Sequence, residues 1–408
     1  MRSFIEERWN TLYWQAKSET MKKLSLRLVL LLSVIFYYST AQCMANARSD
    51  LYILSTGDTV YRQDTSVIVA FNSPKAVLST SKFNGGYQDN LSAVFNHDMK
   101  QAVGVTADNY LDYLKHVAKN LQLNPKRVTG MGTAASMENT VINSASYQTL
   151  TVTAIATGGV EGNGGRAGDQ ADYFLTGKKR ALYKPGTINI ILVIDADIPP
   201  AIMARALVTC TEAKTAALQE LMAGSKFSSG LATGSGTDQT MIIANPRSSL
   251  YLEDAGKHSK LGELIGRTVK QTVKEALLKQ TGLSPQKQHS VLRRMNRYGV
   301  IEETLYQQYV QDIGVIDKER FLTSLRQLDK ESPLVTGASL YVHLLDQFQW
   351  ELVSGDELTQ AGNELLALTA GKYHVSPPVM HSAEVTPAIY AWSSLVVKIL
   401  ADRLQVES

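Results

Sequence analysis

The order of apolar and polar positions divides the chain into two styles. Residues 51–71 alternate apolar and polar side chains in two short runs, LYILST and SVIVAF, and a third short run fills residues 76–79. Such alternation predicts strands with one covered face. Asn84-Gly85-Gly86 then predicts a turn, because glycine reaches positive φ without a Cβ clash. Over residues 107–123 the period lengthens to that of a helix, with Tyr110, Leu114, Val117 and Leu121 on one face and Pro125 beyond its end. Residues 127–131 read as a short extended run. Residues 147–156 are β-branched and alternating, which predicts a strand, and 158–168 follow as a Gly-rich loop. Residues 186–245 carry the strongest pattern. The apolar run GTINIILVID predicts a strand, PPAIMARALVTCTEAKTAALQELM a long helix, and LATGSGTDQTMIIAN a small-residue loop entering another strand. Residues 261–282 form a second strong helix, closed by Gly282 and Pro285.

After Pro285 glycine becomes sparse and helical patterns dominate (IEETLYQQYVQ, KERFLTSLRQL, LYVHLLDQF, PAIYAWSSLVVKILADRL). The expected fold class is therefore α/β, a mixed sheet layered with helices, with an additional α-helical C-terminal region. Three stretches follow: residues 1–47, 48–285 and 286–408. At 408 residues with 44% hydrophobic content, two folded units with sizeable cores are expected. A net charge of +3 gives no argument for a nucleic-acid partner. The basic clusters Lys178-Lys179-Arg180 and Arg293-Arg294 with Arg297 read as solvated surface.

Residues 1–47 read as an N-terminal extension and signal peptide. Lys22, Lys23 and Arg27 precede an uncharged apolar run over 28–38, and Ala45-Asn46-Ala47 supplies the small residues of a cleavage site. Met21 is a second candidate start. Cleavage after Ala47 exports the chain to a periplasmic or extracellular setting. Retention would anchor it in a membrane through residues 28–47. Cleavage also leaves Cys210 as the one cysteine, which excludes an intramolecular disulfide and a Cys-based zinc site.

Several segments, in order along the chain, resemble the adenosylcobinamide amidohydrolase family, CbiZ. They are LSTSKFNGGY at 78–87, Asn96, GMGTAAS at 130–136, TAIATGG at 153–159, GTINIILVID at 186–195, TEAKTAAL at 211–218, ATGSGTD at 232–238 and KHSKLGELIGR at 257–267. The resemblance implies an amidase that cleaves the amide joining aminopropanol to the corrin ring's propionyl side chain in adenosylcobinamide, giving adenosylcobyric acid. The partner it implies is a small-molecule corrinoid. The cobalt belongs to that substrate, so no protein metal or cofactor is expected. The leader and the helical C-terminal region lie outside the resemblance. They leave open an extracytoplasmic corrinoid-binding protein without turnover, or an amidase on another substrate.

Amide hydrolysis needs an attacking group, proton transfer and donors for the developing oxyanion. Asn84, Gly85 and Gly86 are candidate donors to a substrate carbonyl, and so are Thr157 and Gly158 at the end of their strand; Asn96 joins them as a substrate-binding candidate. Met203, Leu207, Cys210, Ala217 and Leu221 form an apolar stripe that includes Lys214. A buried ammonium needs a partner. Glu212 lies about 200° away around the helix, so Asp238 or Asp195 is the expected partner of Lys214. Glu212, Asp238 and His258 are the candidate catalytic groups, activating water and moving protons. Thr237 is a substrate-binding candidate, or a turn cap after Gly234 and Gly236. His97 and Cys210 read as structural. Gly162-x-Gly164-x-x-Ala167 lacks the helix and acidic residue of a dinucleotide site. No H-E-x-x-H, D-x-H-x-x-G or G-x-S-x-G occurs.

Overall fold

The computed structural model describes residues 48–106, 108–171 and 186–406. The expected leader, its alternative as an anchor and the 178–180 basic cluster lie outside them. Among the described residues no helix is long and apolar enough to cross a membrane.

The first region holds strands β1 (Ser49–Ile53), β2 (Thr59–Gln63), β3 (Ser66–Ser79), β4 (Gly86–Asp98), β5 (Val128–Thr133), β6 (Val141–Tyr147), β7 (Leu150–Gly159), β9 (Thr187–Ile194) and β11 (Gln239–Ala244) in one sheet. Its order is β1-β2-β3-β11-β9-β7-β6, with β4 on the other flank of β3 and β5 beside β4. β4 with β5 and β9 with β11 are parallel, and the remaining pairs are antiparallel, so the sheet is mixed. The register between β3 and β4 shifts between Ala70 and Lys75. The sheet curls until it is nearly closed into a barrel. The Tyr52 hydroxyl of β1 meets the Ser144 hydroxyl of β6, 3.2 Å away, across the two ends of the strand order.

This closure explains the core. Val69, Val94, Met131, Ile155, Ile191 and Met241 pack together on one side of the strands. On the other side, Ile190, Leu192 and Ile242 meet Met203, Cys210, Val269 and Leu277 of helices α2 (Pro200–Glu220) and α3 (Lys260–Thr281). Helix α1 (Tyr110–Asn120) covers Ile68 and Phe95 with Leu114 and Ala118. All eight residues of β9 are buried, as a strand covered on both faces requires. Helix α2 joins parallel β9 and β11. It therefore returns the chain, with Lys214 near its end, to the strand starts. Helix α3 starts at Ser259, whose side chain accepts from Gly262 N, and stops at Gly282 in the left-handed region (φ 71°).

The C-terminal region comprises α4 (Pro285–Gln288), α5 (Val291–Met295), α6 (Glu302–Asp312), α7 (Lys318–Leu328), α8 (Ser332–Gln349), α9 (Gly355–Lys372) and α10 (Val385–Val406). Its apolar faces share one core around Phe321, Tyr341, Leu345, Trp392 and Leu395.

Four local expectations need correction. The runs SVIVAF and 76–79 belong to one strand, β3, because pairing with β4 carries the chain through the irregular Phe71–Pro74 stretch. The expected strand at 147–156 is the second arm of a β6–β7 hairpin, whose turn uses Gln148 at φ 52° instead of a glycine. Gly158 and Gly159 continue β7, and in the expected loop Gly164–Gly165 (β8) pairs with Gly234–Ser235 (β10) in a small ribbon. Arg297 is not solvated. Its side chain is 3% exposed and paired with Asp346.

Candidate functional site

The cost of burying charge explains the first half of the site. Lys214 and Asp238 are each 11% exposed in their side chains, and Nζ donates to Asp238 Oδ2 at 2.5 Å. Asp238 Oδ1 accepts from Ile188 N at 2.8 Å and from Ser235 Oγ at 2.6 Å, while Oδ2 also accepts from Ser235 N at 3.0 Å. Four donors thus satisfy one carboxylate, which is what a buried anion needs. Gly234 makes room. A Cβ there would stand 2.4 Å from Asp238 Oδ2 and 2.7 Å from Lys214 Nζ. The partner of Lys214 is therefore Asp238; Asp195 accepts instead from Asn245 Nδ2 at 2.9 Å.

The second half consists of buried side chains at strand ends. Asn96 Nδ2 donates to Thr157 Oγ1 at 2.9 Å. Asn189 Nδ2 donates to Asn96 Oδ1 at 2.8 Å and to Gly132 O at 3.1 Å. Gly132 N donates to the Tyr110 hydroxyl at 3.0 Å. Burial pushes the Tyr110 pKa up, and hydrogen bonds with Gly132 and Gln239 offset part of the shift. Gln239 Oε1 is buried without a hydrogen-bond partner among the described residues. Thr187 joins the halves. Its Oγ1 lies 2.8 Å from Thr237 O and 3.4 Å from Asn189 Oδ1. The Gly186 carbonyl accepts from Asn163 Nδ2 and Thr237 Oγ1, with Ser235 Oγ 3.2 Å away, drawing the ribbon onto the same place.

The remaining candidates fall elsewhere or take other roles. Thr237 caps the turn with its hydroxyl on Gly186 O. Asn84, at φ 47°, spends its amide on the carbonyls of Pro125 and Val128 at 2.8 and 2.6 Å. A Cβ on Gly85 would lie 1.8 Å from Ser81 O, and Gly86 has φ 75°. These three residues shape a turn, and among the described residues none of their hydrogen bonds reaches the Lys214 cluster. Gly158 is buried against Leu277. Glu212 is exposed and pairs with Lys257 at 3.0 Å. His258 is exposed next to Lys257 in sequence, and among the described residues no hydrogen bond or ion pair joins Glu212 or His258 to the cluster. Burial pushes the Cys210 thiol up to about 12, with Lys214 opposing, which fits an inert thiol. His97 is held by Ser66 Oγ at 2.8 Å and the Tyr113 hydroxyl at 2.9 Å. Burial takes its pKa down to about 4, against the pull of Asp98. Among the described residues no group of three His, Cys, Asp or Glu side chains could hold a metal ion.

Sequence reasoning missed Asn189, Thr187, Ser235, Tyr110 and Gln239 as members. Asn189 had a readable signal. It shares a strand face with Ile191 and Val193, where an amide needs a buried partner.

The family model described as CbiZ, adenosylcobinamide amidohydrolase, matches residues 52–285. The chain belongs to that family. The uncharacterized protein MJ1613 of Methanocaldococcus jannaschii is 32% identical over 234 residues, which span 55% of this chain and 89% of that protein. Among solved structures, the PH0078 protein from Pyrococcus horikoshii OT3 aligns with 12% identity and a TM-score of 0.27, covering 62% of this chain and 92% of that one. At that score the likeness carries no argument.

Proposed function

We propose that the protein hydrolyses the aminopropanol amide of adenosylcobinamide-type corrinoids, releasing adenosylcobyric acid, and that it does so after export. One observation carries the site. Segments that resemble the family and lie far apart in sequence meet in one hydrogen-bonded cluster, supplying Asn96, Gly132, Thr157, Thr187, Asn189, Lys214, Ser235 and Asp238. A core built for packing alone has no use for so many buried amides and hydroxyls. The basic and apolar order of residues 21–38 supports export.

In this reading Lys214 is the electrophilic group. Its ammonium has three protons, and Asp238 Oδ2 takes one. The others suit the carbonyl oxygen as negative charge develops on it during attack by water. Asp238, with four donors, fixes Lys214 and the turn. Asn96 and Thr157 are buried and bonded to one another, so they shape the floor of the site. The substrate brings its own cobalt. Glu212 and His258 are tested by substitution: if they move protons, Glu212→Gln and His258→Ala cut turnover without unfolding the chain, and wild-type rates remove them.

The test is incubation of the purified protein lacking residues 1–47 with adenosylcobinamide, followed by mass spectrometry. Adenosylcobyric acid and free aminopropanol are the expected products. Tight binding without product would make the chain a corrinoid-binding protein, and neither outcome would mean another amide substrate.

A further inference from the structure

Among the described residues, polar contacts join the helical region to the α/β domain at three places. Gln288, 5% exposed, donates from Nε2 to Leu221 O at 2.6 Å and Met222 O at 2.9 Å, closing the end of the helix that carries Lys214. Lys287 and Arg293 meet Glu161, just beyond β7 and Thr157, at 2.7 and 3.4 Å. The third contact is the most buried. Arg297 forks onto Asp346 at 2.6 and 2.5 Å, with side chains 3% and 4% exposed. The same Arg297 donates to the Ser229 carbonyl. Ser229 Oγ donates to Gln349 Oε1 at 2.9 Å, and the Tyr298 hydroxyl bridges Asp346 and Gln349.

Ser229 sits in a loop with bonds of its own to the ribbon. Ser225 N donates to Gly230 O and Lys226 N to Gly164 O. Ala232 N donates to Ala223 O and Thr233 N to Gly165 O, each within 2.8 Å. Gly234 and Ser235 come next, and Ser235 holds Asp238. A continuous path therefore runs from Asp346 through Arg297, Ser229 and the ribbon to Asp238 and Lys214. The anchors all lie at or beyond residue 287, past the end of the family match at 285.

We propose that Arg297 is a positioning residue: through Ser229 it fixes the Gly234–Asp238 turn, so the C-terminal helical region is a brace for the candidate site. Its effect on turnover rests on the amidase reading above. Its effect on the turn does not. Burial of a forked, paired guanidinium is costly unless its geometry is used. Here the fork spans two elements of the helical region and one carbonyl of the other domain.

The test uses Arg297→Lys, which keeps a cation by Asp346 but loses the fork, and the double change Arg297→Met with Asp346→Leu, which removes the pair without leaving a lone charge. Amide hydrogen exchange is read at Thr233 and Ser235, with Leu325 and Leu345 reporting the helical core. The expected result is a loss of protection of ~10-fold or more at the turn, with the helical core unchanged. On adenosylcobinamide, kcat falls ~10-fold while KM stays within about twofold, as displaced catalytic groups predict, and Arg297→Lys retains more activity than the double change. Unchanged protection at Thr233 and Ser235 in both variants overturns the proposal. Lost protection with wild-type kcat overturns its catalytic part. If the wild-type protein shows no hydrolysis, the amidase reading fails and the exchange data alone decide whether Arg297 holds the turn.

Discussion

Lys214→Met is the most direct test of the buried pair. The change keeps the aliphatic stem and removes the charge. Asp238 would then remain 89% covered by the fold's own atoms, since its side chain is 11% exposed. It would keep Ile188 N, Ser235 N and Ser235 Oγ as donors but lose the ammonium. Removing one partner of a buried pair costs about 3–5 kcal/mol, and the three surviving donors place this case near 3 kcal/mol. At roughly 2–4 °C per kcal/mol for a domain of this size, the melting temperature falls by about 6–12 °C. Thermal unfolding followed by circular dichroism at pH 7 measures it. Lys260→Met is the control. Its pair with Glu263 is exposed on both sides, and its melting temperature should stay close to wild type. A Lys214→Met melt within a degree or so of wild type would mean that the ammonium reaches solvent and the pair is not a structural element, and the electrophilic role would fall with it.

Gly234→Ala should weaken the same pair through its Cβ, so its destabilisation adds to that of Lys214→Met by less than the sum in a double-mutant cycle. Burial lowers the His97 pKa to about 4, below the 6.5 of an unfolded chain, so the unfolded state binds the extra proton between these values. The stability due to neutral His97 is fully present above pH 6.5 and is lost as pH falls towards 4, by ~3 kcal/mol in all; urea titrations of His97→Gln should show a flatter pH dependence over that window. Cys210, its thiol pushed up to about 12, should resist iodoacetamide at pH 8 in the native protein and react once urea unfolds it, and rapid native alkylation would contradict its burial.

How much could be read beforehand depended on whether the physics was local. Lys214 on an apolar stripe was enough to require a carboxylate, but two strand ends offered one. Choosing Asp238 over Asp195 needed the parallel β9–β11 pairing, which sends α2 back to the strand starts. Strand β4 escaped notice because GYQDNL opens it with polar residues and a glycine, and its pairing with β3 and β5 outweighs that weak propensity. Glu212 and His258 stood out as titratable groups, yet the sequence could not say that one faces solvent towards Lys257 and the other is exposed beside it. Arg297 looked like one of three surface cations. Its partner Asp346 lies on a different helix, and no periodicity links the two.

Strand β3 has a consequence for synthesis. Its first half pairs with β2, only a short turn away, but residues 76–79 wait for Met241–Ala244 of β11. Until most of the domain has emerged, that edge of a Val- and Leu-containing strand stays open, a template for pairing with a neighbouring chain. Such distant pairing is slow to form. Nascent chains of this protein should therefore depend on holding factors until β11 arrives, and truncation anywhere before β11 should yield aggregate instead of a smaller folded unit.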